Sequence, residues 1–240
     1  MRVRLAAIVL VALAVQVVAL GQTTLPASPK RPTTRPAVTG PPKPTVVPLQ
    51  WEFKIELDQL RSIPVRLVDP DGRAKKQLFW YLRYTVTNRS GQDHMFVPEF
   101  ILYTGTGQLI RTGAGVPTAV FYQIKKLHND PLLKTQTSMT RKLLLGQDNA
   151  KSGVAVWPDF DADTGLVDIF ITGLSGETRA INLPKPVKTT ETDWKGNRKK
   201  VTKSRLILAK TLHLRYAVPG EKKARHDTVP KLIRREWVMR

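Results

Sequence analysis

The 240-residue chain contains no cysteine. That removes thiolate nucleophiles, cysteine-ligated zinc and any lipidated cysteine, and leaves a folded part that holds together without disulfides. Carboxylates are scarce: 19 acidic side chains stand against 39 lysines and arginines, for a net charge of +20. The four histidines, His94, His128, His213 and His226, form no close pair and no HExxH motif, which leaves no metalloprotease signature. No serine sits in a Gly-x-Ser-x-Gly elbow; Ser152 and Ser175 read as strand-start and turn residues. The Gly-containing stretches TGTG and GAGVP lack the strand-to-helix context of a phosphate loop and read as turns.

The chain opens with Arg2 and Arg4, then an apolar run of 16 residues, Leu5 to Leu20, interrupted only by Gln16. The run falls short of the ~18 residues wanted for a spanning helix. Ala19 and Gly21 place small residues at the positions a signal peptidase reads. Residues 1–21 therefore read as a signal peptide, with export to the periplasm, cell envelope or extracellular space; the competing reading is a retained anchor. Residues 22–50 hold eight of the 18 prolines. Proline fixes φ and lacks a donor, so this segment reads as a disordered, semi-rigid linker of polyproline character. The folded body is expected at 51–240, long enough for a sizeable core.

Within that body, apolar residues mostly alternate. Trp51, Phe53, Ile55 and Leu57 share one face, as do Leu78, Trp80, Leu82, Tyr84 and Val86, and Leu206, Leu208, Leu212, Leu214 and Tyr216. Period two marks half-buried strands. Further strands are expected near 96–103, 153–157, 167–172, 180–183 and 232–238, separated by Gly- and Asn-containing turns. One stretch, 116–130, has Val120, Ile124 and Leu127 at helical spacing, Pro117 near its start and Asn129-Asp130-Pro131 as a stop. It predicts one short helix over a sheet edge. LRYTV at 82–86 is echoed by LRYAV at 214–218; we read the two as neighbouring strands of one elaborated domain rather than as two repeats.

Tyr84-Thr-Val86-Thr-Asn88-Arg-Ser90-Gly91 resembles the Y-x-V-x-N-x-S-G strand and turn of immunoglobulin-like β-sandwich modules in exported bacterial proteins. The resemblance covers about a dozen residues and implies an antiparallel immunoglobulin-like β-sandwich, with the aromatic and aliphatic residues in the core and Asn and Gly making the turn. It implies no activity. Asn88-Arg89-Ser90 also fits the N-glycosylation pattern, a reading set aside for a bacterial-type chain.

The positive charge is unevenly spread. Residues 51–194 carry 18 basic and 16 acidic side chains, whereas residues 195–240 carry 15 and three. The densest part is a hairpin expected around Trp194, Lys195, Arg198, Lys199, Lys200, Lys203 and Arg205; Lys222, Lys223 and Arg225 form a second cluster, and Arg234, Arg235 and Arg240 a third. Lysines on an edge strand also discourage aggregation, but a surface built for solubility usually mixes signs, and an unbalanced block concentrates anions. The expected partner is an acidic polysaccharide or another anionic envelope surface, with nucleic acid ranked last.

Asp159, Asp161 and Asp163 alternate in PDFDADTGLVD, with Asp168 nearby, and are the candidate ligands for a loose Ca²⁺ site. The closed calcium loop is not matched, since Thr164 stands at position six and Phe170 at position twelve. The sequence as a whole points to a non-enzymatic exported binding or structural module. The alternatives are a hydrolase whose groups converge only in the fold, and a subunit that assembles through sheet edges.

Overall fold

In a computed structural model, residues 51–68, 71–192, 196–218 and 227–240 are described. Residues 1–50, where the signal peptide and linker are expected, lie outside them, as do Trp194, Lys195, the cluster Lys222, Lys223 and Arg225, and His226. The elements in chain order begin with strands β1 (Phe53–Leu57), β2 (Arg61–Val68), β3 (Ala74–Asn88), β4 (His94–Phe96), β5 (Glu99–Thr104) and β6 (Leu109–Arg111). Helix α1 (Thr118–Leu127), strand β7 (Lys134–Thr135), helix α2 (Gln136–Met139) and strand β8 (Arg141–Leu143) follow. The chain then continues as β9 (Gly146–Pro158), β10 (Leu166–Thr172), β11 (Thr178–Thr192), β12 (Arg198–Ala217) and β13 (Lys231–Met239).

Two mainly antiparallel sheets face one another. In the first, β3 is the spine: β2 pairs along its first half, β1 along its second half and β9 along its other edge, with β7 added parallel to β9. In the second, β10 lies between β5 and β12, β6 extends the β5 side, and β11 and β13 both pair with β12. One core lies between the sheets. Phe53 and Ile55 of β1, Trp80, Leu82, Tyr84 and Val86 of β3, and Trp157 of β9 meet Phe100, Leu102, Ile169, Ile171, Leu212 and Leu214 from the second sheet. The inward face of β3 is the face its alternation predicts. Fully burying each such side chain stabilises by roughly 1.5–3 kcal/mol before entropy is counted. The described residues thus form a mainly β structure with a sandwich arrangement.

Three features differ from the sequence reading. There are two helices rather than one; α2 is a single turn, opened by Thr135, whose hydroxyl accepts from the Ser138 N–H at 3.2 Å. Helix α1 does not sit over a sheet edge. Val120 and Ile124 pack on the outer face of the first sheet, against Val65, Phe79, Tyr81, Val154 and Val156. Its end is where expected, with Asn129 in the left-handed region at φ 47°. The strands carrying LRYTV and LRYAV are not neighbours: they lie in opposite sheets and meet through the core.

The turn after β3 forms as its residue types dictate. The Asn88 carboxamide accepts from the Ser90 N–H at 3.0 Å and donates to the carbonyls of Gln92 and Leu143 at 2.8 and 2.9 Å, while Gly91 takes φ 94°. Asn88 is fully buried, so its side chain is a structural turn-former and is closed to glycosylation.

Candidate functional site

The basic hairpin is larger than its sequence suggests. Strand β12 runs for 20 residues. Its second half is held in the sandwich between β10 and β13, whereas Arg198–Leu208 pairs only with β11. The result is a two-stranded ribbon, mostly exposed on both faces, about 40 Å long at ~3.3 Å per residue. Its register breaks between Asn182 and Val187, where Leu183–Pro186 bulge opposite Ser204. Pro184 and Pro186 fall inside that bulge, where a missing N–H costs no ladder bond.

On the ribbon, Lys199, Lys203 and Arg205 point to one face and Arg198 and Lys200 to the other. Lys188 lies opposite Thr202 and joins the second face. Lys203 is ion-paired with Glu191 at 2.6 Å, and the Arg205 Nε donates to the Asn182 side chain at 3.4 Å. No carboxylate among the described residues pairs with Arg198, Lys199 or Lys200. The third basic cluster does not join them. Arg240 stacks over Phe170 and Tyr103 at 4.1 and 4.6 Å. Arg234 faces Glu236 at 3.5 Å, and Arg235 donates to the Ile55 carbonyl at 3.2 Å. The cations described at the carboxyl end therefore occupy separate surroundings rather than one continuous patch.

The three aspartates of the calcium-like stretch take local roles. Asp159 Oδ1 accepts from the buried Trp80 indole at 2.8 Å and from the Phe160 N–H at 3.0 Å. Asp161 Oδ1 accepts from the Asp163 N–H at 3.0 Å, which makes an acidic turn between β9 and β10. Among the described residues no three His, Asp or Glu side chains gather as a metal would require.

Asp168, the proposed extra ligand, belongs to an ionic cluster on the outer face of the second sheet. It binds Arg215 through two bonds of 2.7 and 3.0 Å and His213 Nε2 at 2.6 Å. His213 Nδ1 faces Glu236 at 3.1 Å, and the ring stacks on Phe170 at 4.6 Å. Burial works against the Asp168 charge, but Arg215 and His213 outweigh it and hold its carboxyl below the usual range; His213 does the same for Glu236. The members come from β10, β12 and β13, so the cluster ties three strands together.

A second surface was not legible in the sequence. A cleft of about 650 Å³ opens where the β1–β2 turn, β3, the end of α1 and β13 meet. Arg61, Arg83, Lys231 and Arg235 line it, with Asp58 as the single carboxylate. Arg83 is bound to Asp58 at 2.5 Å. Tyr81 and His128 are joined at 3.0 Å between the Tyr hydroxyl and Nε2. Burial, then the nearby Arg83 and Arg61, lowers the His128 pKa; burial raises that of Tyr81, and it pushes Tyr216, another lining residue, up to about 12. The one signal in the sequence was the outward face of β3, which changes from Phe79 and Tyr81 to Arg83 and Thr85 where the helical cover ends.

Comparison with known proteins returned no family model, no curated protein and no solved structure that matches the chain.

Proposed function

We propose that the protein is an exported, non-enzymatic binding module with an immunoglobulin-like sandwich, and that its β11–β12 ribbon engages polyanions. An acidic polysaccharide or an anionic envelope surface is the partner; nucleic acid ranks last, because export separates the chain from the genome. The carrying observation is the exposed ribbon, on which Arg198, Lys199 and Lys200 face solvent from both sides without a paired carboxylate among the described residues. A two-stranded ribbon is marginal in water by itself, and a bound polymer lying along it supplies the counter-charge it lacks. Cations two residues apart on one strand are ~7 Å apart, within a Debye length at 0.1 M salt, so they attract a polymer together.

Salt-titrated binding of the full chain to fluorescein-labelled heparin tests the proposal. Affinity falls steeply as salt rises, and the triple variant Arg198→Gln, Lys199→Gln, Lys200→Gln shows a log–log slope shallower by about 2, taking ~0.7 per contact from flexible polyanions. Binding that does not change with salt, or a variant with the wild-type slope, refutes it.

A further inference from the structure

We infer that the cleft between the β1–β2 turn, β3 and β13 is a small-molecule site for a sugar acid, its carboxylate held by Arg61, Arg235 and Lys231 and its hydroxyls by Asp58, Gln59 and the Tyr81–His128 pair. This site is separate from the ribbon and does not depend on the ribbon's role. Four cations line the cleft, and only Arg83 has a carboxylate partner there. Arg61 donates to the Gln59 side chain at 3.2 Å and Arg235 to the Ile55 carbonyl at 3.2 Å; both are neutral acceptors that leave the guanidinium charge unbalanced. Lys231 has no ion pair among the described residues. Like charges converging on one concavity repel, and a bound anion relieves that repulsion.

The rest of the lining narrows the ligand. Guanidinium groups present planar forks that match a carboxylate or another oxyanion. Asp58 and Gln59 add acceptor oxygens, and the Tyr81–His128 pair combines a hydroxyl with a ring nitrogen, a set suited to sugar hydroxyls. The volume of about 650 Å³ exceeds what a lone inorganic ion fills and lies within the ~300–1,000 Å³ of small-molecule sites. The walls come from residues as far apart as Leu57 and Arg235, drawn from the β1–β2 turn, β2 and β3 of the first sheet, from the end of α1, and from β12 and β13 of the second sheet.

Isothermal titration of the full chain with D-glucuronate, D-glucose and inorganic phosphate tests this. Glucuronate binds saturably at one site, glucose does not, and phosphate binds more weakly than glucuronate. Arg61→Ala, Arg235→Ala and Lys231→Ala each weaken glucuronate about tenfold or more, while the ribbon triple variant binds it like wild type. No glucuronate binding, equal binding of glucose, or unchanged affinity in all three cleft variants overturns the site. Phosphate binding as tightly as glucuronate overturns the assignment to a sugar acid.

Discussion

Replacing Asp168 by Asn removes the charge at the centre of the β10–β12–β13 cluster and keeps its shape. The wild-type carboxylate binds the Arg215 fork at 2.7 and 3.0 Å and His213 at 2.6 Å. The His213 side chain is only 8% exposed, so its charge-assisted bond carries most of the loss, about 1.5 kcal/mol. The Arg215 side chain is 38% exposed, and solvent reduces that pair to roughly 0.5–1 kcal/mol. The total is about 2 kcal/mol, which corresponds to a melting temperature lower by roughly 4–8 °C for a body of this size. Because Asp168 and Glu236 both titrate below their ordinary values in the folded state, their contribution is complete above the unfolded carboxylate range near pH 4. It is lost as pH falls through the lower folded values. Differential scanning fluorimetry from pH 7 to pH 2.5 should show a full gap between wild type and variant at neutral pH that closes in acid. Asp148→Asn, at an exposed acid in β9, serves as the control for losing one negative charge. A variant that melts with wild type at pH 7, or a gap that stays constant into acid, refutes the reasoning.

Two further substitutions probe the core. Asp159→Ala leaves the buried Trp80 indole N–H without its 2.8 Å acceptor and should cost ~1–3 kcal/mol in urea unfolding, with the Trp80 near-UV dichroism reduced. Gly173→Ala places a methyl carbon 2.2 Å from the Val97 carbonyl oxygen at φ +82°. Left-handed strain alone costs ~1–2 kcal/mol and the backbone must also move, so thermal melting should fall by at least ~5 °C.

How much of this was readable in advance depends on what each residue touches. Strands β1 and β10 alternate cleanly and, like β13, were predicted close to their bounds. Strand β3 was recognised from one face only; Phe79 and Tyr81 on its other face are buried under α1, and a strand covered on both sides hides its period. Strand β2 escaped notice because Pro64 interrupts it, yet that residue sits on an outer strand, where a missing donor is tolerated. In β11, Pro184 and Pro186 masked 15 residues of strand, since only the short 180–183 segment looked extended. The basic residues of the ribbon were legible because they are consecutive. The cleft was not, because Arg61, Arg83, His128 and Arg235 are joined only by the fold.

Strand β12 also makes the protein a mechanical element. One continuous length of backbone reaches from the outer end of the arm to Leu212 and Leu214 in the interior. Antiparallel ladder bonds lie across the strand, so a pull along it loads its bonds to β10 and β13 in shear, many at once. The ladder between β11 and β12 is interrupted at the bulge between Asn182 and Val187, so the arm has a weak point there.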